Sequence, residues 1–349
     1  YNRQEMSMKI VAGLGSVDEY IRYCEAGADE FFCGYVPYKW TKKYGTMMAL
    51  NRREVLCCNV QIGGEEELKI LASMIRVYQK PVHLTFNSLY YLPEQYPLIG
   101  QMISNCLEMG FRSYIIADPA LILYLHEQGI NCEIHLSGEL GEMNSSVVET
   151  FAEMNLKRII FHRKNSTADM QAVIEAVERN QCSKAGQMEY EAFVLNELCQ
   201  FSGSFCNSLH CDELGHLCRV PYWMGEVSDK QRERHAEAYG ESGQQSQESV
   251  GYSEGGESDS IDEDAEADYI CGQSGCGLCE LYALQKAGIT HVKLVGRGNY
   301  VNSMEQDIRN LRKALKILGQ AESEELFKKK MRQELFSGGC SGNCYYLQE

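Results

Sequence analysis

One pattern recurs along the chain. An amphipathic stretch stops at glycine or asparagine, and a short, nearly unbroken apolar run begins two to four residues later. The instances are YCEAGADEFFCG, CLEMGFRSYIIAD, LHEQGINCEIHLS, FAEMNLKRIIFHR and LQKAGITHVKLVG. Gly27, Gly110, Gly129 and Gly288, with Asn155, suit the left-handed cap that ends a helix. Runs of continuous apolarity are what strands buried on both faces show. KIVAGL, VHLTFNS and YEAFVL bring the strand count to eight, and Ser16 with Glu19 reads as a capping box opening the first helix. Eight strands with helical patterns between them predict the α/β class and a closed (β/α)8, TIM-type barrel. An open doubly wound sheet is the rival with the same strand count.

Acidity is local rather than general. From Glu241 to Asp268 there are ten Asp or Glu and no Lys or Arg, so this stretch accounts for most of the net charge of −16. It has almost no large apolar residues and cannot offset its ordering entropy, which predicts a disordered acidic insertion between strands seven and eight. The expected organisation is therefore barrel strands one to seven with a cysteine-bearing loop at 8–223, and the acidic low-complexity insertion at 224–269. Barrel completion follows at 270–320, with a C-terminal helix and Cys-bearing tail at 321–349. The charge argues against a broad nucleic-acid surface, leaving only a local basic patch, while the acidic arm is a candidate docking element for a protein partner. No apolar run is long enough for a membrane span, and YNRQEMSMKI lacks the features of a secretory signal, so a cytoplasmic location is expected.

In a barrel, chemistry belongs at the C-terminal ends of the strands. Those ends carry Cys33, Asn87, Asp118, Ser137 with Glu139, His162 with Arg163, Asn196 with Cys199, and Arg297. Each alone reads as well as a cap or turn former. Together they describe a polar rim on which Arg163 and Arg297 are suited to a carboxylate or phosphate. Among the histidines, His135 and His162 lie on neighbouring predicted strands, where a base for a cysteine nucleophile would be sought.

Sixteen cysteines without a signal peptide point to metal or redox chemistry, with Cys106 and Cys132 reading as buried small hydrophobes. Cys199, Cys206 and Cys218 follow the YEAFVL strand, and Cys279 opens a later helix. Four thiolates from separate segments suit an iron–sulfur cluster or a tetrahedral zinc. Cys211, His210 and His216 are substitute ligands in the same loop. Cys271 and Cys276, in CGQSGC, and Cys340 and Cys344, in CSGNC, form two further close pairs that are candidates for a second metal site.

The motifs EAGADEFFCG, IIADPALI, EIHLS, E-x-F-x4-C from Glu191 to Cys199, CRVPY at Cys218 and AGITHVKLVGR resemble the collagenase-like peptidases of family U32. The resemblance implies a (β/α)8 barrel whose four cysteines fall on Cys199, Cys206, Cys218 and Cys279, binding a 4Fe-4S cluster in several members. It further implies oxygen-independent hydroxylation of quinone precursors or RNA bases, the RNA branch taking oxygen from prephenate; other members carry a protease label. The family's His-Gly before the first cysteine is here Leu195-Asn196, the Glu of its K-x-E-G-R motif is Val295, and its Arg-Glu after strand six is Arg163-Lys164. A matching metal site with an altered rim implies the same cofactor and a different substrate. The expectation is an iron–sulfur enzyme of hydroxylase type acting on an organic, nucleobase or peptidyl substrate, with Arg163, Arg297, His135 and Asn87 as catalytic candidates. A peptidase using a Cys nucleophile or metal-bound water, and a non-catalytic iron–sulfur partner protein, are the alternatives.

Overall fold

The computed structural model describes residues 7–45, 48–52, 60–141, 143–179, 188–199, 206 and 269–346. Eight parallel strands close on themselves. They are β1 (Lys9–Leu14), β2 (Glu30–Tyr35), β4 (Val82–Phe86), β5 (Ser113–Ile116), β6 (Glu133–Leu136), β7 (Leu156–Ile160), β8 (Glu189–Leu195) and β9 (His291–Leu294). Because β1 pairs with β9 on one side and with β2 on the other, the sheet is a barrel and the open-sheet alternative falls away. A two-residue strand, β3 (Gln61–Ile62), pairs with the end of β2 outside this ring; it is too short to leave a hydrophobic signature. The acidic insertion expected at 224–269 lies outside the described residues apart from Tyr269.

Helices alternate with the strands: α1 (Glu19–Ala26), α2 (Tyr38–Tyr44), α3 (Glu65–Tyr78), α4 (Tyr96–Met109), α5 (Pro119–Glu127), α6 (Ser145–Phe151) and α7 (Thr167–Arg179). After the insertion come α8 (Leu281–Ala287), α9 (Val301–Leu318) and α10 (Glu324–Glu334). The residues assigned to left-handed caps have positive φ: 112° at Gly27, 109° at Gly110, 65° at Gly129, 99° at Gly288 and 55° at Asn155. At the first helix the start lies later than Ser16, because residues 17 and 18 form a turn; the Glu19 carboxylate instead accepts from the Gly15 amide at 2.7 Å. Among the described residues no helix is long and apolar enough to cross a membrane.

Alternate residues along each strand point to opposite faces. Ile10, Ala12, Phe31, Leu84, Tyr114, Ile134, Ile159, Tyr190 and Val292 join the main core. Within the barrel a smaller apolar cluster forms from Val11, Phe32, Ile115, Ile160 and Phe193. Nearer the N-terminal ends of the strands, the interior is charged. Arg158 of β7 donates to Glu191 at 2.8 Å and to Glu189 at 2.8 Å, and it reaches Glu30 of β2, on the opposite wall, at 2.5 Å. Glu30 also accepts from Lys9 at 2.8 Å and lies 3.0 Å from His83 and 3.3 Å from His291, while Lys293 donates to Glu191 at 2.8 Å. Three carboxylates meet Arg158, Lys293, Lys9 and, at 3.7 Å from Glu189, Lys157, so every carboxylate is matched by a cation even when the histidines are neutral.

Burial raises the Glu30 carboxyl, but the hydrogen bonds from His291 and His83 and the charge of Arg158 outweigh it and hold the group well below the usual carboxylate range. For Glu191, burial is likewise overcome by Lys293 and Arg158, and the carboxyl sits at about 2. His83 and His135 are pushed down, chiefly by burial.

Replacing Arg158 with methionine removes the one cation that all three carboxylates share, leaving Lys293, Lys9 and Lys157 to hold them singly, and we expect a loss of about 3–5 kcal/mol in urea unfolding; a loss below about 1 kcal/mol would show the network to be dispensable. Both glutamates titrate lower when folded, so their stabilisation is complete above the unfolded value of 4.5 and is lost as pH falls through it, toward about 2 for Glu191. The neutral histidines act in the same direction below 6.5, and Glu19, pushed up to about 7 mainly by burial, acts oppositely as pH rises from 4.5. The unfolding free energy should therefore fall from pH 6 to pH 3, and fall less steeply in Glu191→Gln.

Candidate functional site

Two glycines make room for the first element of the site. Gly13 near the end of β1 and Gly34 near the end of β2 flank Arg297, which follows β9. A Cβ on Gly34 would lie 2.5 Å from Arg297 Nη1, and one on Gly13 would lie 3.1 Å from Arg297 Cγ. The guanidinium threads this slot at 5% exposure and donates to Thr85 Oγ1 of β4 at 3.2 Å. Thr85 in turn donates to Asn51 Oδ1 at 2.6 Å, and Asn51 is fully buried.

Arg52 and Arg163 stand on the same strand-end face. Asn87 Oδ1 accepts from the Arg52 amide at 3.1 Å, and Arg52 Nη2 donates to the carbonyl of Cys206 at 2.6 Å. Glu139 bridges two cations: its carboxylate lies 3.5 Å from Arg52 Nε and 3.8 Å from Arg163 Nη1. The Arg163 guanidinium also covers the Phe193 ring at 4.2 Å. Burial opposes the Arg163 charge, but Tyr345, Glu139 and Cys199 outweigh it and raise the group above its usual range.

The tail finishes the mouth from above. Cys276 is the antiparallel bridge partner of Leu195 and the parallel bridge partner of Cys344, so residues 343–345 run beside the loop before α8. Tyr345 thereby drops into the inner apolar cluster with Val11, Phe32, Ile115, Ile160 and Phe193. Its hydroxyl donates to the Asn196 carbonyl, and Tyr346 donates to the Phe193 carbonyl at 2.7 Å. Asn196 has φ 69°, a left-handed conformation that asparagine tolerates better than most residues, which explains how it stands at the expected glycine position. Its side chain donates to Asp307 at 2.8 Å.

The candidates named from sequence separate into groups. Arg163, Arg297 and Asn87 belong to the mouth. His135 does not: it is 1% exposed, its ring lies 4.4 Å from His83, and it borders the charged interior. Asp118 caps α5 by accepting from Ala120 at 2.8 Å, Ser137 accepts from Glu139 at 3.2 Å, and His162 Nδ1 accepts from Lys164 at 3.1 Å. Cys33, Cys106 and Cys132 are buried packing residues whose thiols burial pushes up to about 12. Arg52, Asn51, Thr85 and Tyr345 were not foreseen; the first two lie in a loop without periodicity, and an aromatic pair beside CSGNC was the only signal for the last.

Of the four metal-ligand candidates, Cys218 lies outside the described residues, as do Cys211, His210 and His216. Cys206 is 4% exposed, and Cys199 and Cys279 are partly buried. The segments bearing Cys199 and Cys279 are tied together, since the amides of Asn196 and Leu198 donate to the carbonyls of Gly275 and Ser274 at 2.9 and 2.7 Å. Thiols suit a thiolate-held cluster in donor chemistry, but among the described residues only the Cys206 segment is bonded to a mouth arginine, whereas the thiol neighbours of Cys279 are Cys276, Cys340 and Cys344. Among the described residues no group of three or more His, Cys, Asp or Glu is closed around a single ion.

The model of peptidase family U32 matches residues 15–347. The tRNA hydroxylation protein P of Escherichia coli (strain K12) is 32% identical over 100 residues, or 29% of this chain and 20% of that protein. The match thus spans about a fifth of that relative's length. A solved U32 peptidase is 13% identical with a TM-score of 0.39, covering 54% of this chain and 69% of its own. KGPDC from Streptococcus mutans is 9% identical with a TM-score of 0.40, covering 90% and 99%.

Gly34→Ala should expel Arg297 from its slot without unfolding the barrel, because the clash falls on the end of a flexible side chain. We expect a stability change within about 1 kcal/mol together with about tenfold weaker binding of inorganic phosphate by calorimetry. Unchanged phosphate binding would remove Arg297 from the anion site.

Proposed function

The chain belongs to peptidase family U32, and on that premise we propose that it is an iron–sulfur enzyme of hydroxylase type. Its substrate is an organic or nucleobase compound whose anionic group is held at the barrel mouth. One observation carries the reading: arginines and a cysteine segment share the strand-end mouth, where Arg52 is bonded to the Cys206 carbonyl and Arg163 and Arg297 stand beside it. The hydroxylation named for the E. coli relative supports the reaction class, and the mouth supplies a local basic patch in a chain of net charge −16.

Hydroxylation without dioxygen removes two electrons from the substrate as C–H becomes C–OH; with water as the oxygen source an external electron acceptor takes them and two protons leave, and with an organic oxygen donor that donor is itself reduced. A 4Fe-4S cluster would be held by Cys199, Cys206, Cys218 and Cys279 and would supply one-electron transfer. The protein's own share is positioning. Arg297 and Arg163 orient the anionic group, while Thr85 and Asn51 fix the Arg297 fork. Glu139 holds Arg52 and Arg163 side by side, and the Phe193 ring supports the second of them. Below, Tyr345 and the apolar cluster separate the mouth from the charged interior.

A peptidase acting through a cysteine nucleophile, rather than through a metal-bound water, would need a base beside a thiol. Among the described residues His135 sits in the interior network, and His162 accepts a backbone hydrogen bond on Nδ1.

Anaerobic purification followed by iron and sulfide analysis and electron paramagnetic resonance tests this reading. The wild type should carry a cluster whose signal is lost in Cys206→Ser, and Arg163→Ala should weaken binding of an anionic probe such as phosphate about tenfold. An iron-free protein that retains full turnover would overturn the proposal.

A further inference from the structure

The tail of the chain enters the barrel itself. Tyr345 is 7% exposed and shares the inner cluster with Val11 of β1, Phe32 of β2, Ile115 of β5, Ile160 of β7 and Phe193 of β8, so its ring packs among residues from five walls of the lumen. The loop before α8 leaves room for it. A Cβ on Gly275 would collide with the Tyr345 ring, and one on Gly277 would lie 2.9 Å from Tyr346 Cε2. The backbone on either side is tied down: the Cys276 amide donates to the Asn343 carbonyl at 2.8 Å, and the Tyr345 amide donates to the Cys276 carbonyl at 2.8 Å. Ser341 Oγ donates to the Gly272 carbonyl at 2.8 Å, and the Tyr345 and Tyr346 hydroxyls are both bonded to carbonyls of the β8 segment. A ring held in this way is a fixed wall of the site and not a loose lid.

Phe193 joins this wall to the anion site. Its ring carries the Arg163 guanidinium at 4.2 Å and packs in the same cluster as Tyr345. Ligands of (β/α)8 barrels enter from the strand-end face. Here the space beneath the arginines is taken by a ring of the chain itself, and a ligand that reaches Arg163 and Arg297 from above meets Tyr345 before it meets Phe32 or Ile115.

We propose that Tyr345 determines specificity by closing the lumen below the arginines, so that the site takes the anionic tip of its substrate while the substrate's ring or chain stays above the rim. The inference rests on the anion site of the proposed function and deepens it. The substrate class is one whose anionic group projects from the rest of the molecule, and an aromatic acid engulfed whole by the barrel is excluded. Truncating the ring supplies the contrary case. A void lined by Phe32, Ile115, Ile160 and Phe193 is apolar, and apolar voids of that kind accept an aromatic ring in preference to water.

The test titrates inorganic phosphate and phenyl phosphate by calorimetry into full-length wild type, Tyr345→Phe and Tyr345→Ala, all purified without oxygen, with circular dichroism confirming the fold. Wild type and Tyr345→Phe should bind the two anions within about threefold of each other, whereas Tyr345→Ala should prefer phenyl phosphate by about tenfold or more, because the phenyl group is then buried in place of the lost ring. A general loosening of the tail weakens both anions and leaves their ratio where it was, so the ratio reports the closed lumen and not the stability of the fold. Should alanine unfold the chain, Tyr345→Leu, which fills less of the lumen than tyrosine, is read by the same ratio. An unchanged ratio in the truncated variant, or a tenfold preference for phenyl phosphate already present in wild type, would overturn the proposal. Wild type that binds neither anion would remove the anion site of the proposed function and this inference with it, whereas phosphate binding with an unchanged ratio sinks the inference alone.

Discussion

The barrel closes around one guanidinium. Arg158 reaches from β7 across the lumen to Glu30 on β2 while it also holds Glu189 and Glu191. Opposite walls of the barrel are thus joined by charge-assisted bonds that have no solvent to compete with them. Such a network is costly to bury and is favourable only when fully matched. Matching requires β2, β7, β8 and β9 to stand in one register, so these bonds discriminate against slipped pairings in a way that an apolar filling would not. We regard that specificity, more than net stability, as their contribution.

Above this floor the interior changes character twice along the strand direction. Aromatic and aliphatic side chains form a middle layer, with Lys293 stacked over Phe32 at 3.9 Å where the two environments meet. Then come the strand ends with their arginines. Glu139 organises Arg52 and Arg163 at the mouth, while Lys293 and Arg297 still act on one another across the middle layer. Small residues serve the same end: glycines rather than larger residues at positions 13 and 34 let a long side chain lie flat against the wall.

Much of the architecture was legible in the sequence because it is encoded locally. A glycine that must take positive φ and a following apolar run mark each helix-to-strand passage, and Gly27, Gly110 and Gly288 behave as such marks require. The ionic floor was not legible. Glu30, Arg158, Glu191 and Lys293 each look like an ordinary polar residue beside an apolar run, and only closure of the ring places them face to face. At the rim, Arg163 and Arg297 could be picked out because strand ends can be counted. Arg52 and Tyr345 could not, since their positions depend on long-range pairing of irregular segments. The histidine chosen as a base, His135, has the right strand but points into the interior, a distinction that depends on register.

Tyr345 has a consequence for biosynthesis. It fills the inner cluster from a segment that follows every strand of the barrel, so the ribosome delivers it after the walls have been made. Until then the inner cluster of Val11, Phe32, Ile115, Ile160 and Phe193 lacks its last member. The wall of the barrel is thus complete along the chain before the plug that covers its middle layer.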